Sequence, residues 1–370
     1  MLRSLILSSF LLTILLTSCG EDSTVNSSDP TNLVIDLINL EDGSGKIDIT
    51  VTAENTSEYY FDSGETGIDP ITNTTGIFTH TYTETDVYAI DIRAIGASGR
   101  YLKQDRQLTI LIGDATGLID GSKGYSTPLT YDGMNLIWQD EFNGTALDQT
   151  KWNFETGTGS NGWGNNELQY YRESNTAVGD GFLLIDAKRE AFSGAAYTSS
   201  RLTTQNKFNF QYGRVDIRAQ MPEGQGIWPA LWMLGKNITT VGWPSCGEID
   251  IMEMVGGGDG RDNVTHGTIH WDNGGERALY GGSRKLLVGN LSDSFHVYSI
   301  VWTASSILWY IDDVQYHGAD ISPEGLSELT KEFFFIMNIA VGGNWPGSPN
   351  TSTSFPQKMA VDYIRVFQPN

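Results

Sequence analysis

The sequence predicts an all-β chain of two unequal sandwiches, and three observations carry that prediction. The 370 residues include 42 Gly, 16 Tyr, 15 Phe and 10 Trp, while charged residues make up only 18%; this is a texture of strands and turns, not of a helical bundle. Apolar and polar residues alternate at period two over short segments, with no clear long amphipathic helix. The length exceeds one ordinary domain, and two polar stretches rich in small residues divide it. No repeat of 20–50 residues is present, which disfavours a propeller or solenoid.

Residues 1–18 carry one positive charge, Arg3, and an apolar run from Leu5 to Leu16. The run is too short for a membrane span and has signal-peptide proportions. It ends Leu16-Thr17-Ser18-Cys19-Gly20. This resembles the lipobox of bacterial lipoproteins, which implies that Cys19 becomes the lipidated first residue of the mature chain. The plainer alternative is an ordinary secretory signal with a chance Cys. The acidic Gly20-Glu21-Asp22 that follows resembles the surface-export signal of Bacteroidetes-type lipoproteins, and so implies an outer-membrane lipoprotein of the cell envelope, exposed at the surface. The second cysteine, Cys246, is remote from Cys19, so no structural disulfide is expected. It reads as a small buried filler.

Residues 19–31 are Ser, Asp, Asn and Thr with little to bury, and read as a tether. Residues 32–112 hold short alternating segments, among them Lys46-Ile47-Asp48-Ile49-Thr50-Val51 and Val87-Tyr88-Ala89-Ile90-Asp91-Ile92, which predict a small sandwich. Tyr59-Tyr60-Phe61-Asp62-Ser63-Gly64, with His80-Thr81-Tyr82, resembles an immunoglobulin-like PKD domain, although that family's Trp-Asp-Phe-Gly-Asp core is only partly present. No residue set in this segment is suited to chemistry. Residues 113–131 read as a linker. From residue 132 to 370 Trp becomes frequent and strands recur, ending on Val361-Asp362-Tyr363-Ile364-Arg365-Val366-Phe367, which predicts one large sandwich.

The formal net charge of −22 repels phosphate backbones, so nucleic acid is not an expected partner, and a neutral ligand suits the surface best. Solubility alone would also explain the acidity.

The segment Gly247-Glu248-Ile249-Asp250-Ile251-Met252-Glu253 interleaves three acids with apolar residues. In a strand Glu248 and Asp250 share one face while Ile249 and Ile251 share the other. Glu253 stands at an odd offset from Glu248 and would face away from both. A β-bulge near Met252 would return it to their side. Carboxylates gathered in this way serve either acid–base work or a hard cation.

This segment matches the E-x-D-x-x-E signature of glycoside hydrolase family 16 in its laminarinase-like form, and the resemblance extends over nearly all of residues 132–369. Trp138-Gln139-Asp140-Glu141-Phe142, Gly162-Trp163-Gly164-Asn165-Asn166-Glu167, Gly226-Ile227-Trp228-Pro229-Ala230-Leu231-Trp232, His266-Gly267-Thr268-Ile269-His270 and Gly342-Gly343-Asn344-Trp345-Pro346-Gly347 match it in order. The resemblance implies a concanavalin-like β-jelly roll and an endo-acting, retaining hydrolase of β-1,3-glucan, acting as a monomer without a catalytic cofactor. It implies Glu248 as nucleophile, Glu253 as general acid/base and Asp250 between them as the residue that orients the nucleophile. It places Asn166, Arg201, Trp228, Trp232, Trp243, His270 and Trp345 along the substrate, where indoles would stack on sugar C–H faces. It also implies a structural calcium ion at Glu141, Gly181 and Asp362. The alternatives are an agarase or other galactan hydrolase on the same scaffold, and a non-catalytic glycan-binding protein; a lectin would be expected to lose at least one of the two glutamates.

Overall fold

The computed structural model describes residues 29–39, 44–110, 112, 119–258 and 260–370. The leader, Cys19 and most of the expected tether lie outside the described residues. Two compact units are present. One comprises residues up to Leu37, Asp48–His80 and Val87–Leu108, and the other comprises Ile38–Ile47, Thr81–Asp86 and Thr109–Asn370. The partition is therefore not a single cut at residue 112.

In the first unit β1 (Thr31–Asn39), β2 (Lys46–Glu54) and β5 (Ile77–Thr81) form one sheet. The other has the order β4 (Ile71–Asn73), β3 (Glu58–Asp62), β6 (Asp86–Ile95), β7 (Tyr101–Ile110). The period-two pattern is realised in β6, where Ile90, Ile92 and Ala94 are buried and Asp91 and Arg93 are not. Phe61 from one sheet meets Phe78 from the other with ring centroids 5.6 Å apart, so the inward faces of the two sheets share a core.

The second unit is a larger sandwich. Its eight-stranded sheet runs β11 (Thr176–Gly179), β12 (Phe182–Ala187), β24 (Gln357–Pro369), β15 (Gly213–Gln220), β20 (His296–Trp302), β21 (Ser306–Ile311), β22 (Val314–Asp320), with β8 (Met134–Asp140) also paired to β24. The seven-stranded sheet runs β19 (Arg277–Lys285), β18 (Val264–Asp272), β17 (Glu248–Glu253), β16 (Ile227–Gly235), β23 (Phe333–Val341), β14 (Arg201–Thr203), β9 (Asn153–Glu155). A short parallel pair, β10 (Gln169–Tyr171) and β13 (Tyr197–Ser199), accompanies them. Between the sheets Ile217, Ile300 and Ile364 pack in one cluster with Leu231, Ile249 and Met337. Each such side chain contributes roughly 1.5–3 kcal/mol by leaving water. The jelly-roll sandwich expected of residues 132–370 is the fold observed.

One expectation needs correction here. The described part of the supposed linker, residues 119–131, is bound to the sandwich. Arg218, almost wholly buried on β15, donates from Nε to Tyr125 O at 2.6 Å and from Nη2 to Gly121 O at 3.0 Å and Lys123 O at 2.8 Å. Arg365 donates to Thr127 O at 2.9 Å, Thr127 N–H donates to Tyr363 Oη at 2.8 Å, and Tyr131 Oη–H donates to Asp216 at 2.7 Å. A buried guanidinium needs acceptors all round it, and the carbonyls of this strap supply them.

The positions expected to hold calcium are Glu141, Gly181 and Asp362. Glu141 is held by Arg365 through two hydrogen bonds of 2.7 and 2.8 Å, and Asp362 is held by Arg218. Gly181 makes a positive-φ turn between β11 and β12. The side-chain carboxylates of Glu141 and Asp362 are thus engaged in ion pairs, and Gly181, which has no side chain, has only its backbone carbonyl to offer a cation.

Candidate active site

The odd offset of Glu253 is resolved as the parity argument requires. Asp250 pairs with Thr268 and Glu253 with His266, so Ile251 and Met252 together oppose Gly267 alone. On the other side Trp232 pairs with Asp250 and Leu231 with Met252, which skips Ile251. Ile249, Ile251 and Met252 all point into the core, and Glu248, Asp250 and Glu253 share the opposite face.

A bulge leaves a backbone group without its ladder partner, and a buried one must be satisfied elsewhere. Here the indole N–H of the buried Trp309, on β21 of the facing sheet, donates to Asp250 O at 2.8 Å. Gly267 makes room for that ring: a Cβ at this position would lie 2.3 Å from Trp309 Cδ1. The bulge is thus held from behind by a residue that the sequence reading did not single out.

Strand register then lays out the acid-bearing face. A row perpendicular to the strands runs His266, Glu253, Ala230, Asn338, Arg201, Glu155. The next rows begin Thr268, Asp250, Trp232 and His270, Glu248, Leu234. Small Ala230 between the acid and the amide leaves the row open above it.

Three of the expected side chains, Trp243, Trp228 and His270, meet the three acids, and Trp345 packs beside them. Trp243 donates its indole N–H to Glu248 Oε2 at 2.8 Å, and Trp228 donates to Glu253 Oε1 at 3.0 Å. His270 Nε2 lies 3.2 Å from Asp250 Oδ2 and 3.6 Å from Glu248 Oε1. Trp345 stands edge-on to Trp228 at 5.6 Å and to His266 at 5.0 Å. Trp243 and Trp345 keep 46% and 43% of their surface exposed, as rings that are to receive a ligand must. Trp232 instead donates to Asn338 Oδ1 at 2.8 Å.

Arg201 packs its guanidinium 4.5 Å from the Trp163 ring centroid and 4.8 Å from that of Trp232, and its Nε donates to Glu155. It therefore fixes the Trp232 ring from one side. Asn166 is further out, in a loop with φ of 57°, where its Nδ2 donates to Asn344 Oδ1 at 2.9 Å and so ties the two loops that flank Trp228. Sequence reasoning missed the support behind these residues. Tyr171 Oη accepts from Asn338 Nδ2 at 3.1 Å and donates to Glu167 Oε2 at 3.2 Å, and Glu167 also accepts from Gln169 at 2.7 Å.

Burial pushes all three carboxyls up to about 8, and at both glutamates the negative charge of Asp250 adds to it. The indole donors and His270 act against the rise at Glu248 and at Glu253. Protons near neutrality belong to the cluster as a whole, so it can hold one carboxyl protonated while another is ionised. Cys246, buried two residues before Glu248, has its thiol pushed up to about 11 by burial and remains a neutral filler.

The ligand atoms of Glu248, Asp250 and His270 lie within 4.8 Å of one another, a spacing that would also suit a metal ion. One observation favours acid–base work: the N–H donor of Trp243 already addresses Glu248, and a bound N–H group competes with a cation for the same lone pairs.

The sequence profile of the glycosyl hydrolases family 16 matches residues 144–365. The chain is 41% identical over 237 residues to the clotting factor G alpha subunit of Tachypleus tridentatus, an alignment covering 63% of this chain. It is 41% identical over 284 residues, 69% of this chain, to glucan endo-1,3-beta-glucosidase A1 of Niallia circulans. The chain spans 34% and 41% of the length of these two relatives. Among solved structures it resembles the laminarinase catalytic domain from Thermotoga maritima MSB8, with a TM-score of 0.59 and 42% identity over 65% of this chain and 100% of that one.

Proposed function

The chain belongs to glycosyl hydrolases family 16, and from that premise we propose that it is an endo-acting β-1,3-glucan hydrolase of the retaining kind. The observation that carries the reading is the bulged strand β17, which sets Glu248, Asp250 and Glu253 side by side beneath Trp228, Trp243 and Trp345. Glu248 attacks the anomeric carbon while Glu253 donates its proton to the departing glycosidic oxygen. A glycosyl ester on Glu248 results. Glu253, now a carboxylate, takes a proton from water, which cleaves the ester and frees Glu248. Asp250 keeps the negative charge between the two glutamates that helps Glu253 hold its proton.

The β-1,3-glucan preference is supported by the glucan endo-1,3-beta-glucosidase and the laminarinase domain, each above 40% identity. A second reading, galactan cleavage, draws on the keratan-sulfate endo-1,4-beta-galactosidase of Sphingobacterium multivorum at 33% identity. The net charge of −22 disfavours a sulfated chain. We further read the protein as exported and held on the outer membrane by a lipid on Cys19, on the strength of the leader alone.

The test is a time course on laminarin, mixed-linkage β-glucan and agarose. Early mixed oligosaccharides from laminarin, with a rapid fall in viscosity, are expected. Glucose alone from chain ends would refute endo action. Cleavage of agarose without laminarin would move the substrate to galactan.

A further inference from the structure

Each of the two glutamates in the acid cluster has its own indole donor, and the two donors sit on different elements. Trp243 precedes β17 and reaches Glu248 Oε2 at 2.8 Å; Trp228 lies on β16 and reaches Glu253 Oε1 at 3.0 Å. The bond to Glu248 occupies one carboxylate oxygen and leaves Oε1, 3.6 Å from His270 Nε2, as the one able to attack. We propose that the two tryptophans act as separate positioning residues, Trp243 holding Glu248 in its ionised form and Trp228 limiting how firmly Glu253 keeps its proton. The inference rests on the hydrolase reading above and adds to it a division of labour within the cleft.

The physical ground is simple. An N–H donor stabilises a carboxylate more than a carboxylic acid, so each indole favours ionisation of the glutamate it touches and has no direct bond to the other. The charged and titratable groups facing Glu248 are Asp250 and Glu253 on its own strand, His270 on β18 and the neutral thiol of Cys246 just before the strand. Those facing Glu253 are Asp250, His266 and His270, with Tyr316 of β22 behind it. None of these changes when an indole is replaced by a phenyl ring. The stacking surface for a sugar is largely kept as well, so loss of the N–H is the main difference.

The two replacements therefore predict different signatures. In the full chain, kcat/KM on soluble β-1,3-glucan should follow a bell, with the acid limb set by the group that must be ionised and the alkaline limb by the group that must be protonated. Trp243→Phe should raise the acid limb by about one pH unit and leave the alkaline limb in place. Trp228→Phe should raise the alkaline limb by about one pH unit and leave the acid limb in place, so its profile widens. A rise in KM with neither limb moved would reduce both residues to stacking platforms and overturn the inference, as would movement of both limbs together in either variant. Circular dichroism first checks folding, and Trp228→Leu or Trp243→Leu carries the same expectation if a Phe variant does not fold. Failure of the underlying reading looks different, since Glu248→Gln and Glu253→Gln would then retain wild-type turnover.

Discussion

Removing residues 119–131 should strongly destabilise the larger sandwich even though every strand of it begins later in the chain. The perturbation is a fragment of residues 132–370 compared with one of residues 119–370. The shorter fragment loses the three carbonyls of Gly121, Lys123 and Tyr125 that surround Arg218, and the Thr127 carbonyl that meets Arg365. These four bonds have charged donors, worth about 1.5–3 kcal/mol each. They are not additive, because water enters when the strap leaves and Asp362 and Glu141 remain as partners. A net loss on the order of 5 kcal/mol is a reasonable sum, and it is comparable with a whole domain's stability of about 5–15 kcal/mol. The assay is urea unfolding followed by tryptophan fluorescence. The longer fragment should unfold cooperatively, and the shorter one should have a midpoint lower by about 2 M urea or be unfolded from the start. Equal midpoints would refute the reasoning and restore residues 119–131 to the status of a linker.

Other consequences follow from the same geometry. Glu248 is pushed up to about 8 in the folded chain, so the native state binds a proton more tightly than the unfolded one, and stability falls as pH rises from about 4.5 to about 8. Glu248→Gln removes that loss; it should leave the thermal midpoint near wild type at pH 4 and raise it by a few degrees at pH 8, and scanning calorimetry at the two pH values checks this. Trp309→Phe should cost about 1–3 kcal/mol, because Asp250 O in the bulge loses its donor inside the core, and should lower kcat more than it raises KM; an unchanged urea midpoint would show that the bulge holds itself. The reading of the leader predicts that Cys19→Ala abolishes lipidation, and mass spectrometry of the membrane fraction of wild-type cells should find Cys19 modified.

Much of the site was legible because strand periodicity is strict. One residue too many between Asp250 and Glu253 demanded a bulge, and the bulge is present at Ile251 and Met252. The sandwich of the first unit was legible in the alternation of β6. The support for the bulge was not legible, since Trp309 lies 59 residues away on the facing sheet and nothing in its local sequence separates it from an ordinary core indole. The strap was misread for a different reason. Its Gly, Ser and Thr suggest a linker, but it acts through backbone carbonyls, which every residue has and composition cannot reveal.

The central claim is that Glu248 forms a bond to sugar. It can be tested by incubating the protein with a laminaribioside that carries fluorine at C2 and a good leaving group, then digesting it and sequencing the modified peptide by mass spectrometry. The fluorine slows both formation and breakdown of the glycosyl ester, and the good leaving group restores the rate of formation alone, so the intermediate accumulates. The account predicts one sugar equivalent on the peptide spanning β17, attached at Glu248, and none in Glu248→Gln. Attachment at Glu253, or release of the leaving group with no covalent adduct and with inverted product, would contradict it.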